Sequence, residues 1–194
     1  MNHSPTPSTT LSIAVIDTET GGFEPASDPL LQVAVILATV DDGGSVGIDR
    51  EWASYVRLSP PWKPYGAQHI HGIRRWSLIA APSEKRVITT VCDLIRGRTV
   101  IAHNIAFDMS FLTAAATRHG RTLEPAGTAC TLEMSRATDP ARTMSHRLGD
   151  ISERFNITLT GAHDALNDAR ATLEVLHHLI RTGSALLPAD YASE

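Results

Sequence analysis

Little in this chain points to a membrane, a secreted scaffold or a nucleic-acid coat. Its 194 residues hold two cysteines, Cys92 and Cys130, too few for a disulfide framework and in keeping with a reducing compartment, the cytoplasm. Apolar runs are short: those at 11–16 and 33–37 fall far below the roughly 20 residues of a membrane span. Residues 1–10 are rich in Ser, Thr and Pro, with neither a basic start nor an apolar core, and read as a disordered tail instead of a signal peptide. Basic residues do not dominate either. Seventeen Lys and Arg stand against 21 Asp and Glu, a net charge of −4, and only Lys63 and Lys85 are lysine. That balance excludes tight, unspecific duplex binding through a basic coat. It leaves room for an enzyme that grips a few nucleotides beside bound cations.

What is present is an ordinary globular composition. With 42% hydrophobic residues the chain can bury a sizeable core, and its length is that of one domain. Buried strands are expected at 11–17, 30–40 and 46–58, joined by a Thr/Gly/Pro/Asp-rich loop at 18–28 and a turn at Asp41-Asp42-Gly43-Gly44. These three make an antiparallel meander. A helical turn follows at 66–73, then a helix opened by Pro82 and Ser83, with Val87, Val91, Leu94 and Ile95 on one face, and closed by Gly97. A fourth strand at 99–103, a helix at 105–119 and a fifth strand at 126–129 come next. Helices at 131–137, 146–155 and 163–182 complete the order, and residues 183–194 read as a tail. Such an order predicts an α/β fold with a mixed sheet covered by helices, the polar ends of strands one and four meeting at one edge.

Three clusters carry chemistry. Asp17 and Glu19 close the first strand, and their spacing puts both carboxylates on one face. They repel unless a cation or a proton is shared. For a lone Asp-x-Glu a solvated acidic loop is the plainer reading, but this pair follows a buried strand and precedes Thr20-Gly21-Gly22, a loop open to close approach by a ligand. Asp108 lies one turn into a helix that starts straight after a strand. A dipole partner would do for a carboxylate there, yet its neighbours Phe107 and Met109 suggest a partly buried charge that needs a counter-charge. His163 and Asp168 open the longest helix, and His163 is placed to lean over the same site; Asp164 and Asn167 read as exposed first-turn residues. Carboxylates suit hard divalent cations, and two such ions clamp the attacking and leaving oxygens of a phosphoryl displacement. A histidine of ordinary pKa can accept the proton of the attacking water. Zinc is the weaker metal reading, since neither Cys-x-x-Cys nor His-Glu-x-x-His occurs.

These motifs resemble those of DnaQ-like 3′–5′ exonucleases of the DEDDh subfamily, within the ribonuclease H-like superfamily. Ile16-Asp17-Thr18-Glu19-Thr20-Gly21 resembles the first motif, Ala102-His103-Asn104-Ile105-Ala106-Phe107-Asp108 the second, and His163-Asp164-Ala165-Leu166-Asn167-Asp168-Ala169 the third. Ile70-His71-Gly72-Ile73 is also common in that family. The resemblance implies a ribonuclease H-like fold with a five-stranded mixed sheet and one exonuclease domain over 11–182. It implies two Mg²⁺ (or Mn²⁺) ions held by Asp17, Glu19, Asp108 and Asp168, with Asp17 bridging, and His163 as general base. Nucleotide contacts are implied for Thr18, Thr20, Gly21, Gly22, Phe23, His71, Asn104 and Phe107. Core packing competes for Phe107, and a structural hydrogen bond for Asn104. Two departures stand out: Gly21 replaces a second Thr of many relatives, and Cys130-Thr131-Leu132 replaces Asp-Thr-Leu.

The implied reaction removes nucleoside 5′-monophosphates from the 3′ end of single-stranded DNA, as in proofreading, repair and replication, with DNA polymerase association as the partner the resemblance adds. No membrane partner is expected. The lack of an extended tail or a Gln-Leu-type clamp-binding peptide after the last helix favours a standalone or phage-type nuclease. RNA trimming, or an oligoribonuclease activity, is the alternative that shares the same five catalytic residues. A catalytically silent binding module is disfavoured because all five are present. A haloacid-dehalogenase-type phosphatase would want Asp-x-Asp and a lysine, where Glu19 stands instead.

Overall fold

In the computed structural model, residues 10–159 and 161–183 are described. The tails expected at 1–10 and 183–194 lie outside them apart from Thr10 and Gly183. The first strand, β1 (Leu11–Thr20), pairs antiparallel with β2 (Leu30–Val40), which pairs antiparallel with β3 (Val46–Tyr55). On its other side β1 pairs in parallel with β4 (Thr99–Ala102), and β4 with β5 (Gly127–Cys130). The sheet order is β3-β2-β1-β4-β5, the five-stranded mixed sheet that was expected. Because β1 and β4 are parallel neighbours, their C-terminal ends, Asp17–Glu19 and His103, reach the same edge.

Both faces of the sheet are covered. Ala14, Ile16, Val33, Val35 and Val100 pack beneath α3 (Glu84–Ile95) and α4 (Ile105–Arg118) through Val87, Val91, Phe111 and Ala115. Ile13, Val15, Ala34, Ile36 and Ile101 pack on the opposite side, where α6 (Leu148–Arg154) and α7 (Ala165–Arg181) contribute Ile151, Ala169, Leu173 and Leu176. This two-sided burial explains why β1 and β2 read as apolar runs and do not alternate. It also sorts the polar end of β1. Asp17 and Glu19 continue the row of Ile13 and Val15 toward α7, whereas Thr18 continues that of Ala14 and Ile16 toward α4.

Several boundaries differ from the sequence reading. β1 runs three residues past Asp17, since Thr18–Thr20 keep pairing with β2 up to a bulge at Glu19/Thr20. β3 ends at Tyr55, short of residue 58, because Arg57 leaves the ladder and donates its N–H to the Pro82 carbonyl at 2.9 Å. Two short helices, α1 (Gln68–His71) and α2 (Arg75–Ile79), fill the segment before α3, the second of them unforeseen. A further short helix, α5 (Thr131–Ala137), follows β5 as expected. α6 starts at Leu148 because the His146 side chain is engaged below it, with Nδ1 at 2.9 Å from Ser135 Oγ.

The two layers meet the sheet through large, fully enclosed side chains, so deleting one leaves a cavity. Phe111 is completely buried between α4 and the sheet. Phe111→Ala should therefore lower unfolding stability by about 3–5 kcal/mol, as read from urea denaturation midpoints at constant m-value.

Candidate active site

Each carboxylate of the site is delivered by a different constraint. Asp17 and Glu19 are set by the alternation of β1. Glu19 is only 9% exposed and sits opposite Gln32 across the β1–β2 ladder. Asp108 lies one turn into α4 and is 3% exposed. Its Oδ1 accepts a hydrogen bond from Thr18 Oγ1 at 2.8 Å, so the side chain between the two acids of β1 fixes the third acid. Asn104 precedes α4 in a left-handed conformation, φ 70°, with its exposed side chain making no capping bond.

The third element begins two residues later than the sequence suggested, at Ala165. His163 is not helical. It stands in the left-handed region at φ 66°, exposed, ahead of α7. Asp164 is the helix cap and not an exposed first-turn residue: its Oδ1 accepts from the N–H groups of Leu166 and Asn167 at 3.2 and 3.3 Å. Its other oxygen accepts from Gln32 Nε2 at 2.9 Å, while Gln32 Oε1 accepts the Ala165 N–H at 3.3 Å. Gln32 thus ties the start of α7 to the sheet beside Glu19. Its signal was visible in the sequence as one amide inside an apolar strand. Asp168 then projects back, and its Oδ2 accepts the His163 N–H at 3.1 Å.

The acids repel one another in a poorly hydrated space. Burial, then Asp108, Asp168, Glu19 and Asp164, hold the Asp17 carboxyl well above the usual carboxylate range. Burial and the charges of Asp168, Asp164 and Asp108 push Glu19 up to about 7. Asp108 is pushed up to about 7 by burial, which outweighs the opposing hydrogen bond from Thr18. Burial also raises Asp168, against the pull of the His163 N–H and ring. Glu19, Asp168 and His163 each bring one ligand atom within 4.8 Å of the others. An all-oxygen acidic set with one imidazole at its rim fits hard divalent cations, and Asp164, whose oxygens are spent on the cap and on Gln32, is left aside.

The loop after β1 is held largely by its own bonds. Thr20 Oγ1 donates to the Gly22 carbonyl at 2.6 Å, the Gly21 N–H donates to Pro29 O, and the Gly21 carbonyl accepts the Gly66 N–H, both at 2.8 Å. A Cβ on Gly21 would fall 2.7 Å from the Pro29 ring, and one on Gly22 2.0 Å from Asp28 Oδ2. These glycines therefore permit close packing of the loop. Phe23 is 81% exposed and meets Phe107 edge-on, with centroids 6.3 Å apart; Phe107 is half-buried against Phe111. His71 is buried, its Nδ1 accepting the Ile73 N–H at 2.9 Å and its Nε2 donating to Gly66 O at 3.1 Å, so the loop occupies both ring nitrogens.

Metal-free protein should lose stability as the pH rises. Glu19 and Asp108 hold protons in the folded state, with pKa about 7, that the unfolded chain has already released. The stabilisation present below their unfolded values, about pH 4, is lost as the pH passes through about 7. Melting temperatures in EDTA should fall over that window and flatten above it, and Mn²⁺ should raise them most at the alkaline end. A pH-independent melting temperature, or none of the metal shift, would refute the repelling cluster.

Similarity to known proteins follows this geometry. The 3′–5′ exonuclease DinG of Staphylococcus epidermidis is 26% identical over 165 residues, 85% of this chain and 18% of that protein. The PolC-type DNA polymerase III of Bacillus cereus is 28% identical over 169 residues, 86% of this chain and 11% of that protein. Exonuclease I of E. coli, solved in complex with a dT13 oligonucleotide, superposes with a TM-score of 0.75 at 22% identity, covering 87% of this chain and 41% of that one. The chain thus spans less than a fifth of either relative's length. Residues 14–176, from the first strand through most of α7, match the exonuclease family model, and the chain belongs to that family.

Proposed function

We propose that the chain is a metal-dependent 3′–5′ exonuclease that releases nucleoside 5′-monophosphates from single-stranded DNA. The observation that carries this reading is the convergence of Asp17, Glu19, Asp108 and Asp168, with His163 at their rim, on the shared C-terminal edge of β1 and β4. Two Mg²⁺ or Mn²⁺ ions, held by the four carboxylates, would supply a water of lowered pKa and a clamp on the entering and leaving oxygens. Asp17, influenced by all the other acids, is the residue suited to serve both ions. Thr18 keeps Asp108 turned toward that centre. His163, exposed and held by its own N–H to Asp168, takes the proton of the attacking water. Phe23, backed by Phe107, offers an open ring on which the terminal base stacks. Thr20 and Gly21 shape the floor for the terminal sugar through the loop they brace, and Gly22, His71 and Asn104 frame its sides.

The PolC-type DNA polymerase III relative and the dT13 oligonucleotide bound to exonuclease I support DNA as the substrate, and the former supports a polymerase context in replication or repair. Free Cys92 and Cys130 accord with the cytoplasm. Among the described residues no helix is long and apolar enough to cross a membrane.

A 5′-labelled single strand with Mg²⁺ should shorten one nucleotide at a time, and a 3′-phosphorylated strand should resist. Cutting of a circular strand would overturn the exonuclease reading, and preferential attack on short RNA would reassign the substrate. EDTA, or Asp17→Ala, should abolish turnover. His163→Ala should cost roughly 10²–10⁴-fold in rate while Mn²⁺ affinity, measured by calorimetry, stays near that of the parent. Loss of Mn²⁺ binding in that variant would make His163 a ligand instead of the base.

A further inference from the structure

Next to the acidic site lies a cavity of the opposite character. It measures about 610 Å³, within the range of roughly 300–1,000 Å³ usual for ligand sites. Asn104, four residues before Asp108, forms one wall, and Arg136, Arg142 and Arg147 form others, with Leu132 and Met144 between them. No carboxylate lines it among the described residues. Arg136 shares its charge with Glu133 at 2.7 Å, but Arg142 and Arg147 are exposed, and among the described residues neither has an acidic partner. In a chain of net charge −4 such a gathering of guanidinium groups is out of proportion.

The walls are built and not merely adjacent. His103, at the end of β4, donates Nε2–H to the His146 carbonyl at 3.0 Å, and its Nδ1 lies 3.0 Å from Thr131 Oγ1. The loop carrying Arg142 is clamped by buried Asp139, which accepts Thr143 Oγ1 at 3.0 Å and the Met144 N–H at 2.8 Å. Arg142 itself is held in the left-handed region at φ 54°. Among the described residues five non-glycine residues have positive φ, and three of them, Asn104, Arg142 and His163, stand at the catalytic site or at this cavity. Such conformations persist only where the surroundings over-determine them.

We propose that this cavity is the subsite for the strand just upstream of the scissile bond: Arg142 and Arg147 grip its internucleotide phosphates, and Leu132 and Met144 meet the sugar and base. The proposal rests on the exonuclease reading for its orientation. Guanidinium groups bind phosphate oxygens in bidentate fashion, and apolar walls accept any base, so the grip is sequence-tolerant. It also resolves an electrostatic problem. A polyanion must approach four carboxylates, and cations placed beside them draw it in without competing for the metal ligands.

The test pairs Arg142→Ala/Arg147→Ala with Arg96→Ala, a control on α3's far end where Arg96 pairs with Asp93 and Glu124. Anisotropy of a labelled oligo(dT) in EDTA reads binding without turnover. The double variant should bind about tenfold or more weakly, the weight of one or two charge-assisted hydrogen bonds. Its log–log salt slope should be shallower by about 0.7 for each phosphate that is no longer neutralised, and Arg96→Ala should behave as the parent. With Mg²⁺, the preference for the oligonucleotide over the p-nitrophenyl ester of thymidine 5′-monophosphate, which has no upstream phosphate, should shrink by a similar factor. Arg142→Lys/Arg147→Lys should recover part of the affinity. Weakened binding in a protein that cleaves neither substrate would sink the exonuclease reading and still support the cationic subsite. Unchanged oligonucleotide affinity, equal losses on both substrates, or an equal loss in Arg96→Ala would overturn it and leave the cavity to carboxylates of a protein partner.

Discussion

Mutual repulsion among carboxylates at one end of the sheet is the constraint on which the rest of this structure depends. Asp17 is raised by burial and by four neighbouring acids, and Glu19 and Asp108 are driven to about 7. Nothing local favours such a cluster. It is held because β1 is buried on both faces, so strand alternation is locked and the acids cannot rotate to solvent. A one-residue slip of β1 would send Asp17 and Glu19 to the α4 face and Thr18 to the α7 face. The two apolar layers thus enforce charge placement as well as stability.

The helices contribute by how they start. Asp108 is fixed through Thr18, on the same strand as two other acids. Asp168 and His163 are fixed through a longer path: Gln32 on β2 holds Asp164, Asp164 caps α7, and the cap forces His163 out of the helix into a strained turn. Glu51 on β3 and Arg170, six residues past the cap on α7, form a second tie between sheet and helix. Because α7 is anchored to two strands, its acid keeps a fixed distance from those of β1.

Charge is distributed in two adjoining compartments. The acids occupy the sheet edge, and arginines line the cavity on the other side of Asn104. A single residue in the left-handed region separates them, ending β4 and opening α4 within three residues. Placing cations beside the acids, and not among them, leaves the carboxylate oxygens without guanidinium partners while making the potential beside them less negative.

The sequence by itself determined the strand order of the first half, the two-faced sheet and the identity of the acids. Apolar runs ending in Asp or His, and glycines closing the helices, are local patterns governed by near neighbours. Its three motifs also indicated that these acids would meet. It did not determine where β1 stops, because pairing of Thr18–Thr20 depends on β2 and not on their own loop-like composition. Gly21 and Gly22 look like an open approach for a ligand, yet Pro29, Tyr65 and Asp28, distant or across a turn, are what leave no room for a Cβ. His71 sits in a recognisable motif, but Gly66 and Ile73 decide what its nitrogens do. Asp164 reads as one more surface acid until Gln32, 132 positions away, is brought beside it. The arginine cavity draws on segments between 103 and 148 that share no periodic signal. In each case the deciding partner is remote in sequence, so only the packing of helices on the sheet could settle which groups face each other.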